Sequence, residues 1–266
     1  MRVLVAGAAG GIGSSVVRRL IRQGHDVVGV DRDRDGLAAL PAPVETRAVD
    51  LADERAVRDR LGEPAVDAVV SAVGWYELGA LEDCPPAELR RHLDANLVAV
   101  HAAVRATLPA VRRRDGRIVV VGSVVGRVSL PFHGAYAAGK AGLHGYVDAL
   151  RRELDGRGVD VSLVEPGPVR TGLNERAAAG LEGNADSPYA REYDQFRGYS
   201  PASVTPDAVA SRIEAALTAP DPRARYPVGR RARWLPRLAW LLPPPVFDRL
   251  VRAGLPGGVL GRLIDR

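Results

Sequence analysis

The stretch RVLVAGAAGGIG, Arg2 to Gly13, decides the fold. Arg2–Ala6 is a short apolar run of strand length, and an amphipathic helical pattern begins near Gly11 and continues to Gln23. Glycines fill the turn between them. A turn that binds a phosphate needs glycine because the chain must reverse tightly and bring backbone N–H groups up to an anion with no Cβ in the way. The positive end of the following helix then supports the negative charge. Two spacings fit: Gly7, Gly11 and Gly13 read as G-x-x-x-G-x-G, and Gly7, Gly10 and Gly13 as G-x-x-G-x-x-G. Gly7, Gly10, Gly11, Ile12 and Gly13 are therefore the candidate pyrophosphate contacts.

The same alternation runs outward from this turn. Strands are expected at Asp26–Asp31, Arg47–Val49, Asp67–Ser71, Arg117–Val121 and Val159–Val164. Helices are expected after Asp33, over Asp53–Leu61, from about Pro86 to Arg113, over Ala135–Leu154 and over Pro206–Thr218. This order predicts right-handed βαβ units and an α/β doubly wound parallel sheet with helices on both faces. Asp31 ends the second strand, 18 residues after Gly13. A carboxylate there accepts both ribose hydroxyls of an adenosine and repels a 2′-phosphate, which favours NAD. Arg32, next in the chain, suits the phosphate of NADP, the alternative cofactor. Asp50 and Leu51 follow the third strand, where they suit either the adenine edge or a helix cap.

Composition sets the limits. The 266 residues are 46% hydrophobic and 26% charged, enough for one large folded domain. The single cysteine, Cys84, excludes an intramolecular disulfide and suits a reducing compartment, so a cytoplasmic location is expected. The run after Met1 is too short for a signal peptide or membrane span, and no uninterrupted apolar stretch of about 18 residues occurs. The net charge of +5 accompanies no nucleic-acid recognition motif, so no nucleic-acid partner is expected. No metal site is expected either.

The stretch YAAGK, Tyr136 to Lys140, contains the only lysine among 37 basic side chains. On a helix the two residues lie on one face, a turn apart. A free phenol titrates at about 10, and a fixed cation beside it lowers that value. An ammonium is a compact donor that a planar guanidinium does not replace. Ser123 lies 13 residues before Tyr136, just after the fifth strand, at the carboxyl edge where open α/β sheets bind ligands.

With these motifs in order, the chain resembles the short-chain dehydrogenase/reductase family, in its single-domain branch of about 250 residues. The resemblance covers residues 1–229. It rests on GAAGGIG, Asp50-Leu51, Asn96, GSVVG at Gly122–Gly126, YAAGK and EPGPVRT at Glu165–Thr171. It implies a Rossmann-type domain over 1–229, with 230–266 as a C-terminal helical tail. It implies an alcohol–ketone or alcohol–aldehyde oxidoreductase with the tetrad Asn96, Ser123, Tyr136 and Lys140. Tyr136 is then the general acid/base and Ser123 orients the substrate oxygen. Lys140 holds the nicotinamide ribose and lowers the tyrosine pKa, and Asn96 fixes a water that links Lys140 to solvent. Gly74, Pro166, Gly167, Val169 and Thr171 complete the expected cofactor contacts, and a homodimer or homotetramer is expected. Ser71-Ala72-Val73-Gly74 departs from the family's usual Asn-Asn-Ala-Gly and keeps only the glycine. A non-catalytic nucleotide-binding module is the competing reading.

Substrate choice is assigned to the segment after Thr171, with Trp75, Tyr76, Ser129–His133 and the tail. Tyr189, Tyr193, Phe196 and Tyr199 suggest either an apolar lid over a lipophilic alcohol or ketone or packing against the chain's own helices. His133 is expected to be structural or solvent-facing. In the tail, arginines alternate with Trp234, Trp240, Leu241, Leu242, Val246 and Phe247. That mixture fits a cover over the cleft or a subunit interface first, and peripheral contact with an anionic membrane second.

Overall fold

The computed structural model describes residues 1–181, 186–197, 201 and 203–256. Tyr199 and residues 257–266 of the tail lie outside the described residues. Seven strands form one sheet: β1 (Arg2–Ala6), β2 (Asp26–Asp31), β3 (Glu45–Ala48), β4 (Ala68–Ser71), β5 (Arg117–Val121), β6 (Asp160–Pro166) and β7 (Arg225–Val228). Their order is β3-β2-β1-β4-β5-β6-β7, and every pairing is parallel. The helices are α1 (Gly11–Arg22), α2 (Arg34–Ala38), α3 (Glu54–Ala56), α4 (Pro86–Leu93), α5 (Ala99–Arg112) and α6 (Gly134–Glu153), followed by α7 (Leu173–Ala179), α8 (Ala190–Arg197), α9 (Pro206–Thr218), α10 (Arg230–Leu241) and α11 (Pro244–Ala253).

Side chains along a strand alternate between faces, so each central strand feeds two cores. Leu4 and Ala6 join Val100, Val104, Leu143 and Val147 on one face. Val3 and Val5 join Val17, Leu20 and Ile213 on the other. Burying each such aliphatic side chain contributes about 1.5–3 kcal/mol. The chain direction of strand order reverses between β1 and β4, and their carboxyl ends, Ala6 and Ser71, lie side by side in register.

Four expectations are corrected. The third strand is Glu45–Ala48 rather than Arg47–Val49, because an exposed edge strand carries no apolar run to mark its bounds. β7 was not expected: it is an edge strand, and Pro227, which breaks its apolar pattern, is tolerated there. The long helix expected over Pro86–Arg113 widens into a π-helical turn at Asp94–Val98, between α4 and α5. The helix expected over Asp53–Leu61 likewise ends in a π turn, Val57–Leu61, and its cap is Asp53, whose side chain accepts from the Arg55 and Ala56 N–H groups.

Candidate active site

The glycine turn settles its own spacing. Gly7 has a φ of +79°, and a Cβ there would lie 2.8 Å from the Ala72 carbonyl carbon. A Cβ on Gly13 would lie 1.9 Å from the Gly7 carbonyl oxygen, and one on Gly11 2.8 Å from the Thr171 Cβ. A Cβ on Gly10 would meet nothing closer than 3.4 Å. Strict glycines at 7, 11 and 13 match G-x-x-x-G-x-G. Gly10 caps α1 with no side-chain acceptor, and the first turn of α1 carries no acidic residue. Its N–H groups are thus left for an anion, at the edge of a cavity that Gly10, Gly11 and Ile12 line. These features fit the pyrophosphate of a dinucleotide.

That cavity, about 420 Å³, opens at the carboxyl edge of the sheet. Gly74, Ser123, Tyr136, Lys140, Pro166, Gly167, Val169 and Thr171 all reach it. Tyr136 and Lys140 lie one turn apart on α6. Gly139, between them, lets the Asn96 segment approach closely: a Cβ there would lie 3.1 Å from the Asn96 Cβ. Ser123, at the end of β5, hydrogen-bonds the Tyr136 phenol. The Lys140 ammonium donates to the Val121 carbonyl at 3.2 Å. Gly74 borders both Lys140 Nζ and Asn96 Oδ1, at 3.4 and 3.3 Å from the place of its missing Cβ.

Burial pushes the Tyr136 phenol up to about 12, with only the Ser123 hydrogen bond pulling it down. The same burial lowers Lys140 to about 8. Its Nζ lies 5.8 Å from the centre of the tyrosine ring. Desolvation is therefore the dominant influence on the phenol.

Asn96 is buried in the π turn, as a wide turn at a functional site often places a side chain. Its amide is committed to backbone: Nδ2 donates to the carbonyls of Trp75 at 2.8 Å and His92 at 3.0 Å, and Oδ1 accepts from the Trp75 N–H. Of the lost family amides, Ser71 supplies a buried hydroxyl with no partner among the described residues.

Asp31, Arg32, Asp50 and Leu51 lie outside this cavity. The Asp31 carboxylate accepts from the Ala9 N–H at 3.0 Å, so it sits against the glycine turn, while Arg32 is exposed. Asp50 accepts from the Ala52 N–H and Leu51 is buried. The tail, expected as a cover over the cleft or a subunit interface, supplies the cavity's outer wall. Leu235 and Leu238 of α10 and Phe247 and Leu250 of α11 line it, with Tyr76 and Leu78. His133, expected to be structural or solvent-facing, also lines it, and its Nδ1 bonds the Pro131 carbonyl at 2.8 Å. Tyr193 is fully buried in a separate cluster with Leu181, and Phe196 belongs to both that cluster and the cavity wall. Trp75 faces away and lies on the His92 ring, 4.7 Å between centroids.

Residues 1–182 match the family model of the short chain dehydrogenases. The chain is 31% identical over 273 residues to "Probable short-chain type dehydrogenase/reductase VdlC" of Helicobacter pylori, covering 98% of this chain and 99% of that one. It is 33% identical over 276 residues to human 17-beta-hydroxysteroid dehydrogenase type 1, covering 94% and 84%. Among solved structures it resembles an oxidoreductase of the short chain dehydrogenase/reductase family from Burkholderia thailandensis, with a TM-score of 0.69 and 34% identity over 87% of this chain and 94% of that one. The chain belongs to the short-chain dehydrogenase/reductase family, whose members are NAD(P)-dependent oxidoreductases acting on CH–OH groups.

Proposed function

We propose that the protein reduces a lipophilic ketone or aldehyde, and oxidises the corresponding alcohol, with Tyr136 as the general acid/base. One observation carries this reading: Ser123, Tyr136 and Lys140 meet the bare N-terminus of α1 in one cavity. A bound nicotinamide supplies the hydride. The phenol, held up to about 12, stays protonated near neutral pH and donates its proton to the oxygen of the carbonyl as it becomes an alkoxide. The Ser123 hydroxyl orients that oxygen. Lys140, anchored on the Val121 carbonyl, presents its remaining donors to ribose hydroxyls. Asn96 acts as a positioning residue through Trp75 and His92. A non-catalytic module has no use for this convergence.

NAD is the proposed cofactor, with NADP the alternative, because Asp31 rather than Arg32 faces the glycine turn. Gly7, Gly10, Gly11, Ile12 and Gly13 receive the pyrophosphate. Asp50 and Leu51 stand toward the adenine, and Pro166, Gly167, Val169 and Thr171 flank the nicotinamide.

The lipophilic preference rests on the aliphatic outer wall that α10 and α11 give the cavity. The human relative is named for a hydroxysteroid, a bulky apolar alcohol. The described part of the tail, 230–256, acts in this reading as the cover of a single domain. Its outward face exposes Trp234, Trp240 and Leu241 beside Arg233 and Arg237, which suits a cytoplasmic protein that touches an anionic membrane peripherally. Among the described residues no helix is long and apolar enough to cross a membrane.

The test is a series of carbonyl compounds of increasing alkyl length assayed with NADH. kcat/KM rises along the series, as about 0.8 kcal/mol per buried methylene requires. A preference for short polar carbonyls would contradict the lipophilic assignment.

A further inference from the structure

A second cavity, about 330 Å³, shares Leu78 with the first and is lined by Glu77, Asp83, Cys84, Glu88, His92 and Tyr193 among others. Glu88 and His92 are four residues apart on α4 and so share a face. Glu77 comes from the segment after β4 and hydrogen-bonds Glu88. Carboxylate oxygens of Glu77 and Glu88 and a ring nitrogen of His92 all lie within 4.8 Å of one another. Nothing in the proposed reaction uses these groups.

His92 supplies an independent observation. It is fully buried, and neither ring nitrogen has a hydrogen-bond partner among the described residues. Buried polar groups without partners are rare and costly, so such a ring calls for a ligand. Two acidic groups side by side, partly desolvated, are in turn relieved by a divalent cation.

We propose that Glu77, Glu88 and His92 form a binding site for a divalent first-row transition metal of the Zn²⁺ class. One imidazole nitrogen with two carboxylate oxygens is a donor set that such ions accept, whereas Mg²⁺ and Ca²⁺ prefer oxygen alone. Metal–ligand bonds of about 2.0–2.2 Å place two ligand atoms about 3.4 Å apart in a tetrahedron, so small side-chain rotations from the observed spacing close the site. Three protein ligands leave a fourth position, and the Cys84 thiol in the same cavity is the soft donor nearest to hand. The site adjoins the catalytic residues. The His92 carbonyl accepts from Asn96, and the His92 ring lies 6.4 Å from that of Tyr136. A metal that fixes α4 here also fixes Asn96; this consequence alone rests on the proposed function.

The test uses the untagged full chain, titrated with ZnCl₂ by calorimetry and with CoCl₂ by visible absorption. One saturable Zn²⁺ per chain is expected, together with ligand-field bands of a low-coordinate Co²⁺ site. The paired substitution E77Q/E88Q weakens Zn²⁺ binding by about tenfold or more, and H92Q changes the Co²⁺ spectrum. Both glutamates are half-buried, so the paired variant reports on binding even if H92Q fails to fold. Neither readout requires activity, so the site stands or falls apart from the reductase reading. Absence of saturable binding, or equal affinity in wild type and E77Q/E88Q, would overturn the proposal.

Discussion

Asn96 and Trp75 hold each other by two hydrogen bonds: the asparagine amide donates to the tryptophan carbonyl at 2.8 Å, and the tryptophan N–H returns one to the amide oxygen at 3.3 Å. The pair ties the segment leaving β4 to the π turn that faces α6. Asn96→Ala breaks both bonds and the one to His92, leaving buried backbone groups unpaired. Denaturant unfolding should register a loss of about 2–4 kcal/mol, and kcat should fall with it. An alanine variant of unchanged stability would remove Asn96 from this role.

The glycine turn makes a graded prediction. Gly10→Ala should leave dinucleotide affinity within about threefold of wild type, since its added methyl meets only ordinary contact. Gly11→Ala presses on Thr171 and should weaken binding by about tenfold or more. Gly13→Ala drives a methyl into the Gly7 carbonyl and should cost folding yield as well. Cofactor fluorescence titration measures the series, and equal tolerance at 10 and 11 would reject the assigned spacing.

Lys140 carries a pH dependence. Its pKa in the folded chain is lowered to about 8, so the site holds its cation below that pH and loses it above. kcat/KM should therefore fall as pH rises through about 8. The stability effect has the opposite slope. Between about 8 and the ordinary lysine range the unfolded chain binds more protons than the folded one, so this group makes the fold more stable as pH rises. Below 8 the buried charge costs the fold about 3 kcal/mol. Lys140→Met removes that cost and orphans the Val121 carbonyl, so at pH 7 it should gain about 1–2 kcal/mol of stability while losing activity. A destabilised, active variant would contradict both halves.

Cofactor choice follows from Asp31 beside the glycine turn. NADH should bind about tenfold or more tighter than NADPH, and Asp31→Ser should narrow the gap. Paired fluorescence titrations decide it, with equal affinity or an NADPH preference as the contrary result.

What the sequence reveals follows physical range. Tyr136 and Lys140 are legible because helical spacing fixes their relation, and Ser123 because a strand end fixes its edge. The commitment of Asn96 to Trp75 and His92 is not, since no local pattern announces a π turn. β7 escapes because Arg225 and Pro227 leave too few apolar positions to show a strand. The two glycine spacings separate only once Gly11 is seen against Thr171 while Gly10 has room for a Cβ. Spacing shows the ammonium near Tyr136 but not the burial that raises the phenol. The pairing of Glu77 with Glu88 and His92 joins two segments that only the folded chain brings together.

The central claim is that Tyr136 gives its proton to the substrate oxygen in a cavity that also takes the dinucleotide. The most direct measurement pairs Tyr136→Phe turnover with its cofactor titration. The account predicts hydride transfer slowed by about a hundredfold or more with dinucleotide affinity unchanged. A phenylalanine variant that turns over at the wild-type rate would contradict it.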